Sequence, residues 1–214
     1  MKVAIVPVTP YEQNCSLWKC EETGKIAIID PGGDIDAIKA AISKLGGTPE
    51  VIFVTHGHLD HCSMARVLAD DLGVKVIGPH KEDDFWINQL PQQAPMIGIR
   101  DLKAWTPDQW LKDGDVVSFG NQKLEVIHCP GHTPGHVVFY HRGEKLAAVG
   151  DVIFQGSVGR TDFPKGDWDT LERSIKNKLF PLGDDITFIP GHGPTSTFGE
   201  ERVSNPFVGS AQYR

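Results

Sequence analysis

Four potential metal ligands follow one short apolar run, and this cluster constrains the fold more than any other feature. The run Val51–Val54 is too short for a helix and predicts a buried strand. Directly after it come His56, His58, Asp60 and His61. Side chains alternate in an extended segment, so His56 and His58 face one side and can bind one ion together. Asp60 and His61 fall where the chain turns into the next predicted helix, so they can reach a neighbouring ion.

Three more ligand-type residues lie at the ends of later predicted strands. They are His132, Asp151 and His192, which follow the predicted strands Lys123–His128, Leu146–Val149 and Ile186–Pro190. Each is a weak signal alone, because a histidine beside glycine is common in turns. Ligand types at four separate strand ends predict one site where those ends meet. Glycine beside each ligand fits a site that backbone must approach closely.

The remaining pattern predicts strands in two runs, each interrupted by helices. Further strands are predicted at Lys2–Pro7, Asn14–Lys19, Lys25–Asp30, Val74–Gly78, Val116–Phe119 and Val137–His141. Helices are predicted behind a cap at Asp34 through Leu45, at Cys62–Leu72, at Trp168–Lys178 and near the C-terminal end. Such an order indicates an α/β (α+β) fold with two sheets packed face to face and helices outside.

Composition excludes several classes of protein. The 214 residues suit one domain spanning 1–214, with 40% hydrophobic and 23% charged residues. A net charge of −7 without a Lys/Arg run argues against nucleic acid or an anionic membrane as partner. No apolar stretch approaches the roughly 18–20 residues of a membrane span, and no signal peptide is apparent. Four scattered cysteines predict a reducing, cytoplasmic location.

The ordered set of ligands resembles a known family. His56-x-His58-x-Asp60-His61, with His132, Asp151 and His192 following, is similar to the full ligand set of the metallo-β-lactamase superfamily. The runs at 150–154, 159–164 and 188–194 resemble the single-domain type II glyoxalase-like hydrolases of bacteria, the YcbL group, which are similar to hydroxyacylglutathione hydrolases. The resemblance covers almost the whole chain and implies a four-layer αββα sandwich with metal ions at one edge.

The resemblance also implies roles for these residues. It places His56, His58 and His132 on a first ion, Asp60, His61 and His192 on a second, and Asp151 on both. The ions would be two divalent metals, zinc first, with iron or manganese compatible with the same donors. The implied reaction is hydrolysis of a thioester such as S-D-lactoylglutathione, by attack of a metal-bound hydroxide on the carbonyl. Asp60 would orient the nucleophile or move a proton.

Some positions depart from the family pattern. Asp151 and His61 stand where common metallo-β-lactamases use other ligands, which argues against antibiotic hydrolysis. The helical domain that ends full-length type II glyoxalases is expected to be absent after His192. Arg160 matches a basic position that contacts glutathione, whereas Asp162 replaces the usual tyrosine. We therefore expect a small-molecule thioester, glutathione-derived or not, and a monomer or weak homodimer.

The sequence is compatible with more than one function and with more than one role for Arg160. The run 159–163 is also similar to mononuclear-iron persulfide dioxygenases, although 190–194 favours the hydrolases; a metal-binding protein without catalysis is a third reading. Arg160 either binds a substrate carboxylate or pairs with Asp162. Residues expected in supporting, core, turn or surface positions are His128 and Cys129 (core or support), His136 (support or turn), His80 and His141 (surface), and Trp86, Trp105 and Trp110 (pocket wall or core).

Overall fold

The computed structural model describes residues 1–210, and two six-stranded sheets form its centre. The first sheet runs in chain order: β1 Lys2–Val8, β2 Gln13–Lys19, β3 Lys25–Ile29, β4 Thr48–Phe53, β5 Lys75–His80 and β6 Gln109–Leu111. Its first three strands are antiparallel, and β3 to β6 are parallel. The second half of β4 is buried, and it reads as the apolar run Val51–Val54 because parallel strands are covered on both faces.

The second sheet has the order β14-β13-β10-β9-β8-β7. Its strands are β7 Val116–Phe119, β8 Gln122–His128, β9 Val137–His141, β10 Leu146–Gly150, β13 Thr187–Pro190 and β14 Ser196–Thr197. A small hairpin is formed by β11 Ile153–Phe154 and β12 Ser157–Val158. Strands β10 and β13 are parallel, with Gly150 opposite Pro190. The residues that follow each of them therefore emerge side by side.

Helices cover the outer faces of both sheets. They are α1 Ile35–Leu45, α2 Leu59–Cys62, α3 Ala65–Leu72, α4 Asp84–Asn88, α5 Leu90–Gln93, α6 Trp168–Ser174 and α7 Phe198–Ser204. One apolar cluster lies between the sheets, where the rings of Phe53 and Phe139 are 5.0 Å apart. Two further apolar clusters fill the remaining layers, one between the first sheet and its helices and one between the second sheet and its helices. The αββα sandwich is confirmed.

Local details correct three predictions. Asp34 precedes α1 in a left-handed conformation (φ 46°), and its carboxylate accepts from Thr9 N at 2.7 Å instead of capping the helix. The predicted helix Cys62–Leu72 is divided into α2 and α3 at Ser63–Met64. The helix predicted at Trp168–Lys178 is α-helical to Ser174 and continues as the π-helical turn Ile175–Leu179.

No helix among residues 1–210 is long and apolar enough to cross a membrane.

Candidate metal centre

Three histidines from the two sheets converge at one edge of the sandwich. His56 and His58 follow β4, and His132 lies in the loop between β8 and β9. His58 Nδ1 is 3.2 Å from His56 Nε2 and 3.0 Å from His132 Nε2. We call these three residues the first cluster.

A second cluster, of Asp60, His61 and His192, lies beside the first. Asp60 Oδ2 is 3.1 Å from His192 Nε2 and 3.8 Å from His61 Nε2. Asp151 lies between the clusters: its Oδ1 is 3.2 Å from His61 Nε2, and its Oδ2 is 3.6 Å from His132 Nε2. The structure thus brings all seven predicted ligands together.

These donors fit metal ions. Tetrahedral ligands at 2.0–2.1 Å from an ion stand about 3.3 Å from one another, close to the spacing within the clusters. The buried atoms His61 Nε2 and Asp151 Oδ1 lie 3.2 Å apart without the geometry of a hydrogen bond and have no other partner within residues 1–210, although buried polar atoms normally have one. Imidazole and carboxylate are the donors that zinc, iron and manganese accept.

The outer nitrogens of the imidazoles are held by a network behind the site. His61 Nδ1 is 2.9 Å from Asp30 Oδ2. Thr55 Oγ1 donates to the same oxygen at 2.6 Å and lies 3.0 Å from His56 Nδ1. Asp30 therefore supports a histidine of each cluster, directly or through Thr55, and such partners fix the ring orientation and tautomer of a ligand.

Backbone carbonyls hold two further histidines. His132 Nδ1 is 2.6 Å from the carbonyl oxygen of Arg160, and His192 Nδ1 is 3.0 Å from that of Tyr11. His136, which the sequence left between support and a turn, accepts from Asp151 N at 3.1 Å and stacks on His56 with centroids 4.5 Å apart. It therefore supports the site.

Burial dominates the electrostatics of the first cluster. It lowers the pKa of His58 to about 3 and that of His56 well below its ordinary value. Burial also lowers the pKa of His132. All three imidazoles are neutral at physiological pH, which is the protonation state that a metal ligand requires.

Charge pairing dominates the second cluster. Burial opposes the charged form of His61, yet the carboxylates of Asp151 and Asp60 raise its pKa well above the ordinary value. The pKa of His192 is raised too, because its hydrogen bond to Asp60 and the charge of Asp151 outweigh burial. Burial would raise the pKa of Asp151, but His61 and His132 hold it well below its usual range.

Glycine makes the close packing of the centre possible. A Cβ atom at Gly191 would lie 2.0 Å from Asp151 Oδ1 and 2.5 Å from His61 Cε1. Neither atom belongs to a side chain that could move away without disturbing the clusters, so position 191 admits only hydrogen.

A cavity of about 1020 Å³ opens over both clusters. Aromatic and apolar side chains form much of its wall: Tyr11, Trp86, Met96, Phe154 and Phe163. Gln89, Gln93 and Gln155 add neutral hydrogen-bonding groups. Among the described lining residues, Arg160 is the one Lys or Arg, and its guanidinium pairs with Asp162 at 2.8 and 3.0 Å.

The histidines at positions 80, 128 and 141 lie outside the two clusters. His80 and His128 stack at 4.3 Å near the surface, and His128 Nε2 is 2.8 Å from the Pro134 carbonyl oxygen. His141 is buried, so its predicted surface position is wrong. Its ring lies 2.8 Å from Gln122 Oε1 and accepts a hydrogen bond from Glu144 N.

All four cysteines are free and buried. Trp105 packs in the core, whereas Trp86 lines the cavity.

Sequence reasoning missed Asp30, Thr55 and Asp83. Asp30 directly follows β3 and precedes Pro31-Gly32-Gly33, so an acidic residue at the end of a buried strand was the available signal. Thr55 stands next to the ligand motif and resembles an ordinary strand residue. Asp83 lies in a segment without periodicity, and nothing in its local pattern indicates burial.

Comparison with known proteins agrees with this geometry. The model of the metallo-beta-lactamase superfamily matches residues 8–197. This chain belongs to the metallo-β-lactamase superfamily. It is 45% identical to hydroxyacylglutathione hydrolase GloC of Haemophilus influenzae, over 98% of this chain and 99% of that protein. The chain is accordingly a metal-dependent hydrolase.

Solved structures of the superfamily show the same architecture. BLEG-1 B3 metallo-β-lactamase has a TM-score of 0.88 at 32% identity, over 97% of this chain and 99% of that one. TTHA1623 in a di-iron-bound form has a TM-score of 0.83 at 35% identity, over 94% and 99%. Within this superfamily fold, the clusters of His and Asp side chains described above indicate a dinuclear metal site.

Proposed function

We propose that this protein hydrolyses small thioesters of the hydroxyacylglutathione class, with S-D-lactoylglutathione as the reference substrate. The observation that carries the proposal is the pair of clusters joined by Asp151 beneath an aromatic cavity, in a chain 45% identical to a hydroxyacylglutathione hydrolase. A thioester suits this cavity, since a thiolate leaves readily and needs no strong general acid.

We propose that His56, His58 and His132 hold one ion, Asp60, His61 and His192 the other, and Asp151 both. Divalent ions held by these residues would lower the pKa of water and polarise a carbonyl oxygen, which is the chemistry that ester and thioester hydrolysis needs. Zinc is our first assignment; iron and manganese accept the same donors.

The protein's own groups orient the reactants. Asp60 lines the cavity, and its Oδ2 faces His192, so its other oxygen is left to orient a water molecule or accept its proton. The rings of Trp86 and Phe163 stand over His58, with centroids 4.6 and 5.2 Å from the imidazole, and exclude bulk water from that side. We propose that Arg160 at the rim exchanges its ion pair with Asp162 for a substrate carboxylate. Residues 1–214 act in this proposal as one catalytic domain.

The test measures metal content and turnover on the same samples. Lactoylglutathione hydrolysis is followed by loss of thioester absorbance, alongside oxygen uptake with glutathione persulfide and hydrolysis of a β-lactam. We expect two metal ions per chain and thioester turnover. One iron per chain with oxygen uptake would support the persulfide dioxygenase alternative and overturn the proposal.

The role of Asp60 needs its own variant. Asp60→Asn is expected to lower kcat by about 10²-fold, the lower end of general acid–base effects. An Asn variant with wild-type metal content and undiminished turnover would contradict the proton role while leaving thioester hydrolysis intact.

A further inference from the structure

Asp83 is a fully buried carboxylate outside the two clusters. It ends the 3-10 turn Lys81–Asp83, directly before α4. Its hydrogen-bond partners are three neutral donors: Gly57 N at 2.8 Å, Thr133 Oγ1 at 2.8 Å and Gly135 N at 2.6 Å. Burying an ionisable group among neutral partners is unfavourable, and burial raises the pKa of Asp83 to about 6. Such a group calls for an explanation.

The three donors belong to the two loops that carry the first cluster. Gly57 lies between His56 and His58, after a strand of the first sheet. Thr133 follows His132, in a loop of the second sheet. One carboxylate therefore ties together, across the interface of the sheets, the backbone segments that present all three imidazoles.

The contact between these segments is close. A Cβ atom at Gly135 would lie 2.5 Å from Asp83 N and 2.7 Å from Asp83 Oδ1. His80 N donates to Gly135 O at 3.1 Å on the other side of the same turn. Hydrogen bonds donated from each side thus hold the turn Lys81–Asp83 and the loop at Gly135 at a fixed separation.

His58 depends on this arrangement more than the other histidines of the clusters. Within residues 1–210 its Nε2 has no hydrogen-bond partner, whereas the outer nitrogens of the other four meet Thr55, Asp30 or a backbone carbonyl. Its ring packs edge-on against Trp86, one turn after Asp83, at a centroid distance of 4.6 Å. The segment from Asp83 to Trp86 therefore positions His58 in two ways. Asp83 accepts a hydrogen bond from the backbone of the preceding residue, and Trp86 packs against the imidazole ring.

We propose that Asp83 is a positioning residue of the first cluster, whose carboxylate fixes the distance between the two histidine loops. Its carboxylate makes no hydrogen bond to any of the seven ligands among the described residues and acts through Gly57, Thr133 and Gly135. This inference rests on the proposed assignment of ligands to the two ions.

The test isolates each cluster and titrates it with cobalt(II) chloride, read by visible absorption. A His192→Ala background leaves the first cluster complete. Adding Asp83→Asn there places an amide NH₂ against the donors, and we expect cobalt affinity to fall 10–100-fold, as for other residues that support ligands. A His58→Ala background leaves the second cluster complete, and there Asp83→Asn is expected to change affinity by less than about twofold.

Asp84→Asn is the matched control, because Asp84 is the adjacent carboxylate and pairs with Lys81 at 2.9 Å on the surface. It is expected to leave both affinities within about twofold, since exposed ion pairs contribute little. Equal cobalt affinity with and without Asp83→Asn in the His192→Ala background would overturn the inference. Cobalt binding by His192→Ala with the stoichiometry and both affinities of the wild type would instead refute the ligand assignment.

Thr133 provides a second pair of variants if Asp83→Asn does not fold. Thr133→Val removes one hydrogen bond to the carboxylate and is expected to weaken the first cluster, with a shift of the cobalt absorption bands. Thr133→Ser keeps the hydroxyl and is expected to restore both affinity and spectrum. Identical values for Val and Ser would overturn the inference.

Discussion

The two clusters reach similar donor spacing by different physical means. The first contains only buried imidazoles, kept neutral by desolvation and held by backbone and ring contacts. The second is held by ion pairs among Asp60, His61 and His192 and with Asp151 between the clusters. It is more open, since the His192 side chain is 29% exposed. Packing thus fixes one set of ligands and charge balance fixes the other.

The difference indicates where each cluster is vulnerable. A change of volume or backbone separation acts on the first cluster, whereas removal of a carboxylate acts on the second. The following variants are chosen to separate these responses.

Asp151→Ala is expected to have the largest effect, because it removes the one residue that faces both clusters. Two ions contribute several kcal/mol to the transition state, so we expect kcat/KM to fall on the order of 10³-fold. Metal analysis after dialysis should show fewer than two ions per chain. Retention of both ions and of turnover would contradict a bridging role for Asp151.

Stability should depend on pH through Asp83, which supports the first cluster. The folded protein holds its proton more tightly (pKa about 6) than the unfolded chain (3.8), so the folded state gains stability at low pH. This contribution, about 3 kcal/mol, is lost as pH rises from about 4 to about 6. Urea unfolding with a chelator should show the advantage of wild type over Asp83→Asn shrinking across that interval. Parallel pH profiles would contradict this prediction.

Asp30 and Thr55 each contact a histidine of a different cluster, so variants at these two positions should affect the clusters unequally. Asp30→Asn is expected to weaken the second cluster 10–100-fold through His61, with a smaller effect on the first through Thr55. Thr55→Val is expected to weaken the first cluster more than the second, because the Thr55 hydroxyl contacts only His56 among the ligands. Cobalt titration in the His192→Ala and His58→Ala backgrounds measures each cluster separately. Equal losses from both variants would show that the two supports are not independent.

Arg160→Gln tests a charge at the rim and is expected to have the smallest effect. The guanidinium is exposed, so KM for lactoylglutathione should rise only about threefold to fivefold, with kcat unchanged. Asp162→Asn, which frees Arg160 from its ion pair, should lower that KM. A neutral thioester without a carboxylate serves as the control substrate. The same KM changes with the neutral thioester would exclude a role for charge.

The sequence predicts the fold and the residues that converge in the two clusters, but it does not predict the residues that support them. His56, His58, Asp60 and His61 could be predicted because strand alternation and a turn fix their directions locally. The support of Asp83 could not, because its three donors lie 26, 50 and 52 residues away and become neighbours only when the sheets pack. His141 was misplaced for the same reason, since its partner Gln122 belongs to another strand.

The contact of Gly191 with Asp151 and His61 has a consequence for engineering. Saturation libraries aimed at new substrates gain nothing from position 191, where every side chain displaces a ligand. Met96, which is 67% exposed at the mouth of the cavity, can be varied freely without touching either cluster. Selectivity and chemistry are therefore separable targets in this scaffold, and a search confined to the mouth should change substrate preference while metal content stays constant.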